Sequence, residues 1–195
     1  MKKLIFFLLF FIIGMPLQVM AQKWEVDPVH TNFYFDVKHN TFSTVRGQFM
    51  DFTGDVLFDP DNPGQSRFDF VIQVDSLDTK VGKRDTHLRS PDFFDVTQYP
   101  VITFKTSQVS KTSDNKFIVE GSLTIKDVTR DIALEFVYHG QRENPLKKGE
   151  TVAGLDTSLT IDRLAYHVGD GKFYRMGVVD KDINILFTME LLREK

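Results

Sequence analysis

Apolar and polar side chains alternate with a period of two through almost the whole chain, and that rhythm leaves few folds open. Phe33, Phe35 and Val37 alternate with Tyr34, Asp36 and Lys38, and Phe68, Phe70, Ile72 and Val74 with Asp69, Val71, Gln73 and Asp75. Phe117, Val119, Leu123 and Ile125 share one parity; Ile132, Leu134, Phe136 and Tyr138 share another. Ile183, Ile185, Phe187, Met189 and Leu191 repeat the pattern near the C-terminus. Successive side chains of a strand point to opposite faces. Each run therefore offers one apolar and one wet face, as antiparallel sheet requires.

Eight strands are predicted, at about 24–38, 45–58, 67–75, 101–109, 116–125, 130–140, 151–161 and 181–191. Asp59-Pro60-Asp61-Asn62-Pro63-Gly64 cannot continue a strand, and Ser113-Asp114-Asn115 reads as a tight hairpin. One short helix is expected within 81–90, ended by Pro91, with a further turn near Arg163. Eight strands in meander order close into an all-β, antiparallel, up-and-down barrel without exposed edges; a two-sheet sandwich is the rival. Such a barrel either fills with side chains or holds one small ligand, and alternation alone does not choose. Ten strand residues span roughly 33 Å, and a tilt of about 40° leaves roughly 25 Å of barrel height. A bore of that length suits a long alkyl or isoprenoid chain better than a compact polar metabolite.

The first residues carry their own pattern. Lys2 and Lys3 precede an apolar run from Leu4 to Ile13, Gly14 and Pro16 break it, and Val19-Met20-Ala21 offers a cut after Ala21. Residues 1–21 are expected to be a cleavable secretory signal; the apolar run is short of the roughly 20 residues of a membrane span. The remaining 22–195 make one domain of 174 residues, with no stable membrane insertion expected. Without Lys2 and Lys3, 22 basic residues face 27 acidic ones, a formal charge of −5. That balance argues against nucleic acid and anionic membrane surfaces as partners. With no cysteine, the fold stands without disulfides. A periplasmic location is expected, with secretion beyond it as the alternative.

The connection between the third and fourth strands has an unusual make-up. Leu77 to Phe104 gathers Arg84, Asp85, His87, Arg89, Asp92 and Asp95 beside the pair Phe93-Phe94. Such a segment can cap an apolar cavity with its rings and meet a polar head group with its charges. A planar guanidinium such as that of Arg84 offers several donors to phosphate or quinone oxygens; pairing with Asp85 or Asp92 is the structural alternative. His30, His39, His87, His139 and His167 show no metal-ligand spacing, so neither metal nor cofactor is expected. Ser43 lies in no Gly-x-Ser-x-Gly elbow, and no catalysis is expected.

Taken together, several motifs resemble the YceI-like family of exported, lipocalin-shaped proteins. They are Trp24-x-Val26-Asp27-x-x-His30-Thr31, Phe35-x-Val37-Lys38-His39 and Gly47-x-Phe49 with Phe52-x-Gly54. They continue through Asp78-Thr79, Arg84-Asp85-x-His87-Leu88, Asp92-Phe93-Phe94-Asp95-Val96 and Tyr99-Pro100-x-Ile102-Thr103-Phe104. Gly121-x-Leu123-Thr124-Ile125 and Val128-Thr129-Arg130 follow, so that the resemblance spans about Trp24 to Leu191. It implies a lipocalin-like eight-stranded barrel that binds polyisoprenoids or similar amphiphiles without catalysis. Asp162-Arg163-Leu164-Ala165-Tyr166-His167 departs from the family pattern by losing a Phe-Gly pair while keeping Arg163.

The expected function is an exported lipid carrier holding an isoprenoid quinone, prenyl phosphate or fatty-acid derivative. A ligand-free envelope protein-interaction module with a solid core is the alternative, and a homodimer is compatible with either. The apolar bore is assigned to Phe33, Phe35, Phe49, Phe70, Phe93, Phe94, Ile102, Phe104, Phe117, Leu123, Phe136 and Phe187. The polar head is assigned to His30, Arg84, Asp85, His87 and Arg163.

Overall fold

Three of the predicted strands are broken in place, so eleven strands make eight staves in a computed structural model that describes residues 21–194. They are β1 (Gln22–Val26), β2 (Asn32–His39), β3 (Ser43–Phe49), β4 (Phe52–Phe58), β5 (Arg67–Gln73) and β6 (Leu77–Asp78). β7 (Val101–Ser113), β8 (Lys116–Ile125), β9 (Val128–Glu143), β10 (Glu150–Asp162) and β11 (Val179–Glu194) follow. Two helices, α1 (Gly82–Arg89) and α2 (Lys172–Arg175), and a 3₁₀ turn at Arg163–Tyr166 lie at one end. Of the proposed leader, only Ala21 lies within the described residues.

Register shows why the count is eight. The turn at Asp27-Pro28 splits the first stave into β1 and β2, which pair with β4 and β3 respectively. β3 and β4 are one stave broken at Met50-Asp51, and β5 passes through a 3₁₀ turn into β6, which pairs with β3. From β5 the order runs β7, β8, β9, β10, β11, and β11 pairs with both β2 and β1. The sheet is thus a closed eight-stave antiparallel barrel. The expected helix at 81–90 is α1; α2 carries no periodic signal in the sequence.

The parity that alternation left open is settled by burial. Phe68, Phe70, Phe117, Val119, Phe136, Phe187, Met189 and Leu191 are all buried within one core. Inward positions are not filled alike along the axis. Toward one end Trp24, Val56, Phe58, Phe68, Phe117 and Leu191 are at most 2% exposed. There Phe58 meets Phe117 at 5.3 Å, Tyr138 at 5.1 Å and Phe68 at 5.5 Å between ring centroids. Trp24 Nε1 donates to the Phe58 carbonyl at 3.0 Å, and the Arg193 guanidinium covers its ring at 4.3 Å. This half is solid.

Candidate functional site

The other half is hollow. An apolar cavity of about 380 Å³ lies beneath α1, α2 and the 163–166 turn. Aliphatic walls come from Val37, Val45, Leu134, Ile161, Ile183 and Ile185, all only partly buried. Its floor is aromatic. Phe33 stacks on Phe187 at 4.0 Å and 13°, and Phe70 and Phe136 meet Phe187 edge-on at 4.9 and 6.0 Å. Phe136 stacks in turn on Phe68 at 5.4 Å, joining the floor to the solid half.

Wall rings lie flat because the backbone makes room for them. Gly47 faces Phe35 across the β2–β3 pair, and a Cβ at Gly47 would fall 2.2 Å from the Phe35 ring. Phe49 continues this surface, 5.6 Å from Phe35 and 5.9 Å from Phe94. The cavity mouth is closed in part by Phe93, which stacks on Phe173 of α2 at 5.9 Å. His87 also lines the cavity while its side chain remains 44% exposed, marking the open edge.

Eleven of the twelve assigned bore residues line this cavity: Phe33, Phe35, Phe49, Phe70, Phe93 and Phe94, then Ile102, Phe104, Leu123, Phe136 and Phe187. Phe117 does not. It has the right parity but sits too far along β8, in the solid half against Phe58 and Tyr138.

The assigned polar residues divide. Arg84, His87 and Arg163 line the cavity, whereas His30 and Asp85 do not. Asp85 is buried and accepts from the Thr79 backbone N–H at 3.0 Å and from the Thr79 hydroxyl, anchoring α1 to the segment before it. Arg84 pairs with neither Asp85 nor Asp92; its Nε and Nη2 donate to the hydroxyl and carbonyl of Thr79, both at 2.7 Å. His87 bonds Asp92 at 3.0 Å. Arg163 donates to the carbonyls of Asp180, Val168 and Val179 at 2.9, 2.7 and 3.4 Å, so it ties the 163–168 segment to β11. Burial pushes its guanidinium below the usual arginine range, opposed by Asp162, Asp170 and Asp180.

His30 lies at the β1–β2 break. Its Nδ1 is 2.7 Å from Asp27 and 3.7 Å from Glu190, the one trio of metal-ligand type whose donor atoms cluster among the described residues. The Asp27 bond raises His30 above its usual value; burial pushes Asp27 up, but bonds from His30 and Val29 N–H outweigh it and leave the carboxyl lowered.

Sequence reasoning nominated the rings together with Ile102 and Leu123 and passed over the other aliphatic wall residues. Ile132, Leu134, Ile183 and Ile185 stood in the alternating runs, so parity alone could have found them. Tyr166, Val168 and Phe173 come from irregular segments, where no period marks a direction.

Residues 24–191 match the model of the YceI-like domain. A UPF0312 protein of Pseudomonas aeruginosa is 31% identical over 179 residues, covering 91% of this chain and 90% of its own length. Another, from Pectobacterium atrosepticum, is 30% identical over 173 residues, covering 89% and 86%. Among solved structures, Burkholderia cenocepacia BcnA superposes with a TM-score of 0.76 at 25% identity, covering 85% of this chain and 99% of that one. A polyisoprenoid binding domain from Saccharophagus degradans superposes with a TM-score of 0.64 over 88% and 98%; at 15% identity that likeness is one of fold.

Proposed function

Because the chain belongs to the YceI-like family, we propose that it is a lipid-binding carrier that holds the apolar chain of a polyisoprenoid or similar amphiphile in the hollow half of its barrel. The carrying observation is the cavity itself: about 380 Å³, walled by aliphatic side chains and floored by four phenylalanines. That volume falls within the ~300–1,000 Å³ of ligand sites. Burial of apolar surface, at about 25 cal/mol per Å², supplies the driving force. The aromatic floor limits how much chain enters, so affinity rises with chain length until the bore is full and then levels off. The description of the Saccharophagus degradans neighbour as polyisoprenoid-binding supports this choice of ligand class.

Arg84 and His87 stand at the mouth, where a head group of the cargo would lie. The Arg84 Nη1 group is not used in its bonds to Thr79 and can donate to a quinone, carboxylate or phosphate oxygen. Export fits the reading, since the pattern of Lys2, Lys3 and Leu4 to Ile13 ending at Ala21 directs a chain out of the cytoplasm. Binding rather than chemistry is the role assigned to the cavity.

Native mass spectrometry of the mature protein, followed by extraction, tests the proposal. A stoichiometric lipid adduct with a long isoprenoid or acyl tail is expected. A bare mass that stays bare after incubation with isoprenoid quinones, prenyl phosphates and fatty acids would sink it.

A further inference from the structure

Most polar groups on the cavity lining are already spent on the protein. The Thr79 hydroxyl serves Asp85 and Arg84. The Tyr34 hydroxyl donates to Asn32 at 3.1 Å, and Arg163 donates to three carbonyls. Two buried side-chain atoms have no partner among the described residues, Arg67 Nε and Thr157 Oγ1, and only Thr157 lies on the cavity.

Thr157 is 6% exposed and stands where the hollow half of the barrel meets the solid one. Along β10, Leu155 before it is packed into the core and Leu159 after it lines the cavity. Across the sheet it pairs with Phe136 on one side and Phe187 on the other, both rings of the floor. A water placed there would meet one hydroxyl among aromatic rings, whereas buried water is held by several polar partners. Valine would fill the same space and leave no hydrogen bond unmade. An unpaired hydroxyl at the inner end of an apolar cavity therefore calls for a partner that the protein does not supply.

The floor also limits what that partner can be. The cationic and titratable basic groups of the lining stand at the other end: Arg84 and His87 on α1, Arg163 in the 163–166 turn, and His39 at the last residue of β2. An anionic oxygen at the floor would be buried without a counter-charge, at far higher cost than a neutral one. A ketone, ester or ether oxygen needs only one donor, and a threonine hydroxyl supplies it. One step in χ1 exchanges the hydroxyl with the methyl, so the covered oxygen can turn toward an arriving group.

We infer that Thr157 is a polar anchor at the floor, and that the bore selects chains carrying a neutral acceptor oxygen near the buried end. This rests on the carrier reading and narrows it. The head group lies at the mouth, and the far end of the chain is read by its chemistry as well as by its length.

Competitive binding to the mature protein, followed by native mass spectrometry, tests the assignment. Fatty acids from laurate to palmitate, and farnesyl phosphate, are each compared with an analogue bearing one ketone next to the tail end. At the length that reaches the floor, Thr157→Val should lower the ketone-to-plain affinity ratio by about tenfold. Plain chains should bind it as they bind wild type. Thr157→Ser keeps the hydroxyl and should keep the wild-type ratio; thermal unfolding of each variant checks that it is folded. An equal ratio in wild type and Thr157→Val at every length, or a serine variant that matches the valine one, would overturn the inference and leave the carrier reading standing. Failure of every chain to bind, plain or ketone-bearing, would remove the carrier reading and the anchor with it.

Discussion

At the solid end of the barrel, Phe58, Phe68, Phe117 and Tyr138 reach across the axis and meet ring to ring. At the hollow end Val37, Val45, Ile161, Ile183 and Ile185, on β2, β3, β10 and β11, line the bore with branches too short to meet across it. The rings at that end behave differently as well. Phe35 lies along the wall over Gly47 instead of reaching inward. Alternation sets neighbouring side chains on opposite faces; the reach of the inward ones, and the room behind them, decides whether the interior closes.

The contrast can be broken most strongly from the solid side. Phe117→Ala should cost about 3–5 kcal/mol in chemical denaturation, because it opens a void among fully buried rings. Ile185→Ala, on the cavity wall, should cost only about 1 kcal/mol, since its side chain is only partly buried and already borders an open cavity. Equal losses at the two sites would dissolve the distinction between the halves.

Gly47→Ala should act on both stability and contents. The new Cβ needs the space of the Phe35 ring, which must swing from the wall into the cavity. A loss of about 1–3 kcal/mol is expected from the overpacking, together with disappearance of any lipid adduct in native mass spectra. Retained adduct in the folded variant would show that the wall has slack.

Thr157 sharpens the comparison at the floor. It is buried on β10 opposite Phe136 and Phe187, and its hydroxyl has no partner among the described residues. Thr157→Val removes that unpaired group without changing shape, so thermal unfolding should rise by the equivalent of about 1 kcal/mol. A decrease would mean that the hydroxyl is satisfied in solution.

The smallest expected effect is a pH dependence at the far end. His30 is raised by its bond to Asp27, so its stabilising contribution is complete below the usual 6.5 and fades as pH rises through the raised value. The partner carboxylate is lowered and contributes above its usual 3.8, fading only as pH falls through its lowered value. Thermal unfolding followed from pH 6 upward should therefore lose a little stability in the wild type. In His30→Asn that slope should flatten, and an unchanged slope would assign it to other groups.

Much of the site is legible in the amino-acid order. Paired rings in a charged connection mark the lid, and Phe93 and Phe94 do line the cavity. Arg84 is legible as a mouth residue, but its partner is not: Thr79 offers two oxygens within 2.7 Å, whereas the sequence displays only nearby aspartates. Asp85 looks like part of the same polar face. One helical step instead turns it under the lid, where Thr79 takes it up.

The number of staves, their antiparallel order and the division of each strand into two faces were legible in the sequence, because polarity is carried residue by residue and a strand sets successive side chains on opposite sides. Which of the two faces turns inward was decided by burial. Only the tertiary structure decided that Phe117 belongs to the solid half, that His30 lies beside Glu190 at the β1–β2 break, and that one end of the bore stays open. Those outcomes depend on how far along a tilted stave each residue sits when the barrel closes. They also depend on contacts such as Phe33 on Phe187, between opposite ends of the chain, which no local pattern records.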